Sequence, residues 1–219
     1  MKAASVAGIP PDGPILAIVL AAGAGKRMGC PKALVKLGGM SFLERIAHTL
    51  GEAGLRRRLV VLAGPAGTNG VPAVPDLAVP EGLAIVRNMH PESGMLSSVA
   101  AALSSRHALG AAAALIWPVD CPRVPAAVVR ALVERFRAVG SGSRNAVVLP
   151  AYGGRRGHPV LFSAALFGVL LAAPPGVGAR EVLRAHAAEI LEVEVGSPEI
   201  LDDLDTPDDL ARLDTPGAP

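Results

Sequence analysis

Apolar and polar positions along this chain fall into short blocks whose period changes from one block to the next. Ile15–Leu20 (I-L-A-I-V-L) is an unbroken apolar run, too short to span a membrane, and reads as a strand buried on both faces. Runs at Leu59–Leu62, Leu83–Val86, Ala113–Val119 and Ala146–Leu149 predict further strands of the same kind. Helical periodicity separates several of them. Ser41 is a plausible N-cap, with Glu44 placed to close a capping box over Ser41–Ala47. Met95, Val99 and Leu103 recur at helical spacing and predict a core-facing stripe. Over Ala126–Val139, Val128, Val129, Leu132, Val133 and Phe136 form an inward face, with Arg130, Glu134 and Arg137 outward. Strands alternating with helices predict one α/β/α three-layer domain around a mostly parallel sheet. Tyr152–Gly157 predicts a glycine-rich hairpin with two arginines at its tip, and the proline- and glycine-rich stretch Gly64–Gly82 predicts a long irregular surface connection. With no internal repeat or composition shift, 14–214 reads as a single domain, between a disordered leader at 1–13 and a tail at 215–219.

Composition narrows the function classes. The chain has 219 residues, 51% of them hydrophobic and only 3% aromatic, and a net charge of +2, enough for a large core with no basic surface for nucleic acid or membrane. Cys30 and Cys121 are the two cysteines, far apart and without metal-ligand spacing, which points to a reducing, cytoplasmic setting rather than a disulfide framework or a zinc site. Lys2 and the Ile15 run loosely imitate a secretory signal, but Pro10, Pro11, Asp12 and Pro14 stand between them.

The first strand empties into Ala21-Ala22-Gly23-Ala24-Gly25, followed by Lys26, Arg27 and Lys32. Glycines after a buried strand let backbone amides approach an anion, and the cations supply the opposite charge. A polyphosphate cradle is the physical reading. It is not a P-loop, because Gly25-Lys26 is followed by Arg27 rather than Ser or Thr. Nor is it a dinucleotide fingerprint, because Gly23, Gly25 and Gly29 are spaced G-x-G-x-x-x-G. The remaining pattern, L-A-A-G-x-G-x-R-M-G-x-P-K, resembles the nucleotide-binding signature of the MobA-like nucleotidyltransferases. That resemblance implies the Rossmann-like, nucleotide-diphospho-sugar transferase type of fold and assigns Leu20, Ala21, Ala22, Gly23, Gly25, Arg27 and Lys32 to the nucleotide.

Three later segments extend it. Glu92–Val99 is a turn into a helix, where serines and free amides suit a phosphate or a base edge, although an N-cap serine is the simpler reading of the residues alone. The family's G-x-x-S-S-V-like segment implies base recognition by Gly94, Ser97 and Ser98. Asp120 ends the fourth strand, at the sheet edge where ligands of open parallel sheets gather, and beside a triphosphate such a carboxylate is a natural Mg2+ ligand. Near the C-terminus, Thr206 caps a helix with Pro207 at its first position and Asp208 and Asp209 in its first turn. The family's D-x-D-T-P implies Asp205 as second metal ligand, with Asp203 in support. The segment Gly157-His158-Pro159-Val160-Leu161-Phe162 resembles the acceptor border of molybdenum cofactor cytidylyltransferases, which would give Arg155, Arg156 and His158 the acceptor's phosphate.

Taken together, the resemblance implies a molybdenum cofactor cytidylyltransferase: CMP moves from CTP to the phosphate of molybdopterin, pyrophosphate leaves, and Arg27, Lys32, Asp120 and Asp205 carry the chemistry. Such an enzyme would hand its product to a molybdenum hydroxylase. CTP over GTP rests on the loop reading Ala21-Ala22-Gly23, where guanylyltransferase relatives tend to carry a second glycine. A guanylyltransferase, a sugar-phosphate nucleotidylyltransferase and a non-catalytic cofactor carrier are the alternatives. Cys30, inside the glycine loop, and Cys121, beside Asp120, read in two ways: next to the nucleotide, where neighbouring cations would favour a reactive thiolate, or as small buried residues.

Overall fold

A computed structural model describes residues 13–23, 25–65, 74–75, 78–139, 146–174 and 190–214. The expected leader (except Gly13), the tail at 215–219 and most of the Gly64–Gly82 connection lie outside the described residues. The apolar runs become strands β1 (Ile15–Ala21), β4 (Arg57–Ala63), β5 (Ala84–Asn88), β6 (Ala113–Pro118) and β7 (Val147–Tyr152). They are joined by β8 (Arg155–Arg156), β9 (Val160–Ser163) and β10 (Ile190–Glu194) in one sheet of order β10-β7-β9-β6-β1-β4-β5, with β8 paired to β7. The β6-β1-β4-β5 half is parallel throughout, and β7 and β10 are parallel to each other. Strand β9 runs antiparallel to both its neighbours, which makes the sheet mixed. A small ribbon, β2 (Lys36–Leu37) and β3 (Met40–Ser41), stands apart.

Helices cover both faces, and β1 shows why its run has no polar gap. Ile15, Ala17, Val19 and Ala21 pack into one apolar cluster with α1 (Phe42–Glu52) and α3 (Ala126–Ala138). Leu16, Ile18 and Leu20 pack into another with α2 (Met95–Leu103) and α4 (Phe167–Ala172). Each fully buried leucine in these layers contributes about 1.5–3 kcal/mol. Helix α1 begins as the sequence indicates: the Glu44 amide donates to Ser41 Oγ at 3.1 Å, and the Ser41 amide to Glu44 Oε2 at 2.6 Å.

Three details depart from expectation. Met95 does not face the core; it is 48% exposed, and Leu96, Val99 and Leu103 form the buried stripe instead. Gly94 is the N-cap of this helix, at φ 94°. In the hairpin, Gly153 and Gly154 form the tip with φ of 56° and 74°, while the arginines begin the returning strand. Strand β10 has no counterpart among the expected elements; its E-V-E-V alternation was the available signal.

Candidate active site at the carboxyl edge of the sheet

Parallel pairing brings Leu20 beside Pro118 and Ala63 beside Asn88, so β1, β4, β5 and β6 all end at one edge. At that edge lies a cleft of about 250 Å³ lined by Leu20–Gly23, Gly25, Lys32, Gly94, Met95, Ser98 and Asp120, among others. Most residues assigned to the nucleotide from the sequence therefore meet in one place. Gly23 and Gly25 are in the loop for different reasons. Gly25 has φ 58°, and a Cβ on it would collide with the Cys30 carbonyl, so the turn itself demands glycine. Gly23 has an ordinary φ, and an added Cβ would meet nothing within 4 Å. Packing does not require glycine at 23; close approach of a ligand to the backbone would.

Asp120 is held by its own turn and by the C-terminal arm. The Cys121 amide donates to the Pro118 carbonyl at 3.2 Å, and Trp117 Nε1 donates to the Cys121 carbonyl at 2.9 Å. The Leu204 amide donates to the Asp120 carbonyl at 3.0 Å, which draws Asp203 and Asp205 to the Asp120 carboxylate from a distant part of the chain. Upstream, the arm is stitched by the His158 amide to the Ile200 carbonyl at 2.9 Å, with Ile200 and Leu204 buried. Gly157 permits this contact, since a Cβ there would overlap Ile200. Arg123 adds an ion pair to Asp202 at 2.8 Å. Downstream, Asp209 Oδ2 accepts from the amides of Asp205 and Thr206 at 3.0 and 2.8 Å, and the Thr206 hydroxyl lies 3.3 Å from the Asp209 amide. Helix α5 (Pro207–Asp214) is thus capped as expected, and its cap fixes the backbone of Asp205.

Carboxylate oxygens of Asp120, Asp203 and Asp205 lie within 4.8 Å of one another. Hard oxygen donors at this spacing fit a magnesium- or manganese-class cation. Lys32 Nζ donates to Asp120 Oδ2 at 2.8 Å and also to Asp205 Oδ1, while Arg27 Nη1 lies 2.6 Å from Asp205 Oδ2. Burial pulls the Lys32 pKa down, but its bonds to Asp120 and Asp205 outweigh burial and leave it raised. Burial, and then the neighbouring charges of Asp120 and Asp205, push the Asp203 carboxyl up.

Not every expected residue lines the cleft: Arg27 and Asp205 do not, and meet each other beside Lys32 instead. Ser98 lines it, but Ser97 does not: its hydroxyl lies 2.7 Å from the Gly94 carbonyl and 2.9 Å from that of His90, and it accepts from Asn88 Nδ2 at 2.8 Å. Asn88, just beyond the apolar run at Leu83–Val86, is buried. It ties the whole turn together, also donating to Ser98 Oγ at 2.9 Å and accepting from the His90 amide at 2.9 Å. Arg155, Arg156 and His158 do not line the cleft. Arg156 pairs with Glu192 of β10 at 2.6 Å, and the backbone of His158 seats the C-terminal arm. Cys121 follows the buried reading rather than the reactive one. It is buried, and burial followed by the charge of Asp120 pushes its thiol pKa far up, so the cations do not make it a thiolate. Cys30 is partly exposed. No helix among the described residues is long and apolar enough to cross a membrane.

Residues 17–190 match the MobA-like NTP transferase domain. The chain is 31% identical to a molybdenum cofactor guanylyltransferase of Cereibacter sphaeroides, over 92% of this chain and 96% of that protein. It is 30% identical to the nicotine blue oxidoreductase of Paenarthrobacter nicotinovorans, over 91% and 96% respectively. Among solved structures, Rv0371c of Mycobacterium tuberculosis H37Rv superposes with a TM-score of 0.70 at 26% identity, covering 91% of this chain and 96% of that one.

Proposed function

This chain belongs to the MobA-like NTP transferase family, and from that premise we propose that it transfers a nucleotidyl group to the phosphate of a molybdenum cofactor pterin. The observation that carries the reading is a cleft lined by the glycine loop, Lys32 and Asp120, with the Asp203 and Asp205 carboxylates gathered against Asp120. The relative named molybdenum cofactor guanylyltransferase supports the acceptor class.

The chemistry asks for positioning more than for proton transfer. An acceptor phosphate oxygen is already ionised, so it attacks the α-phosphorus directly. The bond from that phosphorus to the bridging oxygen breaks, and pyrophosphate departs with the electron pair. Backbone amides around Gly23 face the phosphates, and Lys32 and Arg27 offset the charge that builds on the departing oxygens. Asp120 and Asp205, with Asp203 beside them, would hold Mg2+, which when bound supplies charge neutralisation at the triphosphate. Rv0371c is known in complex with manganese, which supports a divalent ion of this size. Arg155, Arg156 and His158 are the proposed acceptor side, with Arg155 the arginine that could meet a phosphate, since Arg156 already pairs with Glu192.

For the donor we propose CTP. Ala22 lines the cleft, in the part of the loop where guanylyltransferase relatives tend to carry a second glycine. GTP is the second reading, favoured by the names of the relatives. Thermal melting with each NTP and Mg2+ separates them: a nucleotide at a hundred times its Kd adds about 2.7 kcal/mol of stability, roughly 5–11 °C for a chain of this size. Pyrophosphate release with molybdopterin then tests turnover. Stabilisation by GTP alone overturns the CTP assignment. Binding without pyrophosphate release points to a carrier, and failure to bind any NTP moves the chain towards its oxidoreductase relative.

A further inference from the structure

Both cations assigned to the triphosphate rest on carboxylates in this structure. Lys32 Nζ bridges Asp120 Oδ2, at 2.8 Å, and Asp205 Oδ1, and its side chain is only 16% exposed. Arg27 meets the other oxygen of Asp205 but is 72% exposed. The Lys32 ammonium thus lies between the two carboxylates that, on the reading above, hold the divalent ion. A second cation could take those oxygens only by displacing it, because two positive charges at hydrogen-bonding distance from the same carboxylates repel strongly. Without Lys32, three carboxylates would crowd together with, among the described residues, the exposed Arg27 paired to one of them. A triphosphate entering over Gly23 is the group that can draw the ammonium away, since Lys32 and Gly23 line the same cleft.

We infer that Lys32 is a place-holding cation: it keeps Asp120 and Asp205 together and leaves them for the triphosphate, so that nucleotide and divalent ion bind cooperatively. The inference rests on the proposed metal role of Asp120 and Asp205. Free metal meets an occupied, internally neutralised cluster, whereas metal arriving with nucleotide meets released carboxylates. Linkage makes this reciprocal: metal must raise nucleotide affinity by the same factor.

A lysine that serves only as a phosphate ligand makes a different forecast. Removing it would weaken nucleotide binding and leave the affinity for metal alone unchanged. The place-holding role forecasts opposite signs for the two ligands. The test is Mn2+ titration of wild type, Lys32→Ala and Lys32→Met without nucleotide, read from the loss of the free-ion EPR signal. Nucleotide affinity is measured in parallel, and the methionine variant keeps the apolar stem should the alanine variant fold poorly. Both variants should bind Mn2+ roughly tenfold more tightly, within the usual 5–150-fold range of coupling between sites, and should bind nucleotide less tightly. Adding Asp120→Asn to Lys32→Met should cancel the gain. Unchanged or weaker Mn2+ binding in both lysine variants, in a protein that still takes Mn2+ with nucleotide, overturns the place-holding role and spares the metal site. If wild type takes no Mn2+ with or without nucleotide, both readings fall.

Discussion

Replacing Gly23 and Gly25 with alanine, one at a time, separates what the loop's fold needs from what its ligand needs. Gly25 sits at φ 58°, where an L-residue costs about 1–2 kcal/mol, and its new methyl would also overlap the Cys30 carbonyl, which is backbone and yields only if the loop shifts. Gly25→Ala should therefore lose at least that much stability. At roughly 2–4 °C per kcal/mol for a chain of this length, the melting temperature falls by about 2–8 °C or more. Gly23→Ala meets neither penalty, because its φ is ordinary and an added Cβ touches nothing within 4 Å. On unfolded-state entropy alone it should gain about 0.4–1 kcal/mol. Yet that methyl stands at the cleft where backbone amides would approach the phosphates, and a displacement of about 1 Å can cost on the order of a hundredfold in rate. Melting curves with and without Mg-CTP read both effects, with Kd by calorimetry. The expected result is a Gly23→Ala protein at least as stable as wild type that binds nucleotide roughly tenfold or more weakly. Wild-type nucleotide affinity in Gly23→Ala would refute the claim that ligand approach is the reason for this glycine.

Asp120→Asn and Asp205→Asn should each lower transfer by roughly a hundredfold or more while leaving the fold intact. Near-normal pyrophosphate release in either variant removes that residue from the site. The cysteines should differ: iodoacetamide, followed by peptide mass mapping, should label the partly exposed Cys30 and spare Cys121, whose thiol is buried and held protonated at neutral pH. Mg-CTP should slow the labelling of Cys30, and labelling of both thiols at similar rates would contradict the packing around Trp117 and Asp120.

The local chemistry of this chain was largely written in its order of residues. The period of Ile15–Leu20 announced a strand buried on both faces because a strand with helices on each side has no wet face to mark with polar residues. Ser41 with Glu44, and Thr206 with Asp209, declared their caps because a capping bond closes within three residues. The glycine loop was legible for the same reason, as backbone freedom and charge are properties of adjacent residues. What lay beyond reach depended on contacts between distant segments. The phase of α2 was set by its packing on the sheet, with Met95 at the cleft and Leu96 in the core. Asn88 became the clasp of the Gly94–Ser98 turn only because parallel pairing of β5 with β4 set its side chain under that turn. Burial decided the state of Cys121 against the nearby positive charges. Above all, the Leu204 amide on the Asp120 carbonyl and the Ile200 carbonyl over Gly157 carry Asp205 to Lys32, 173 residues away in the chain. Sequence order specifies which side chains are present, but a lysine between two aspartates exists only where the folded sheet and the C-terminal arm meet.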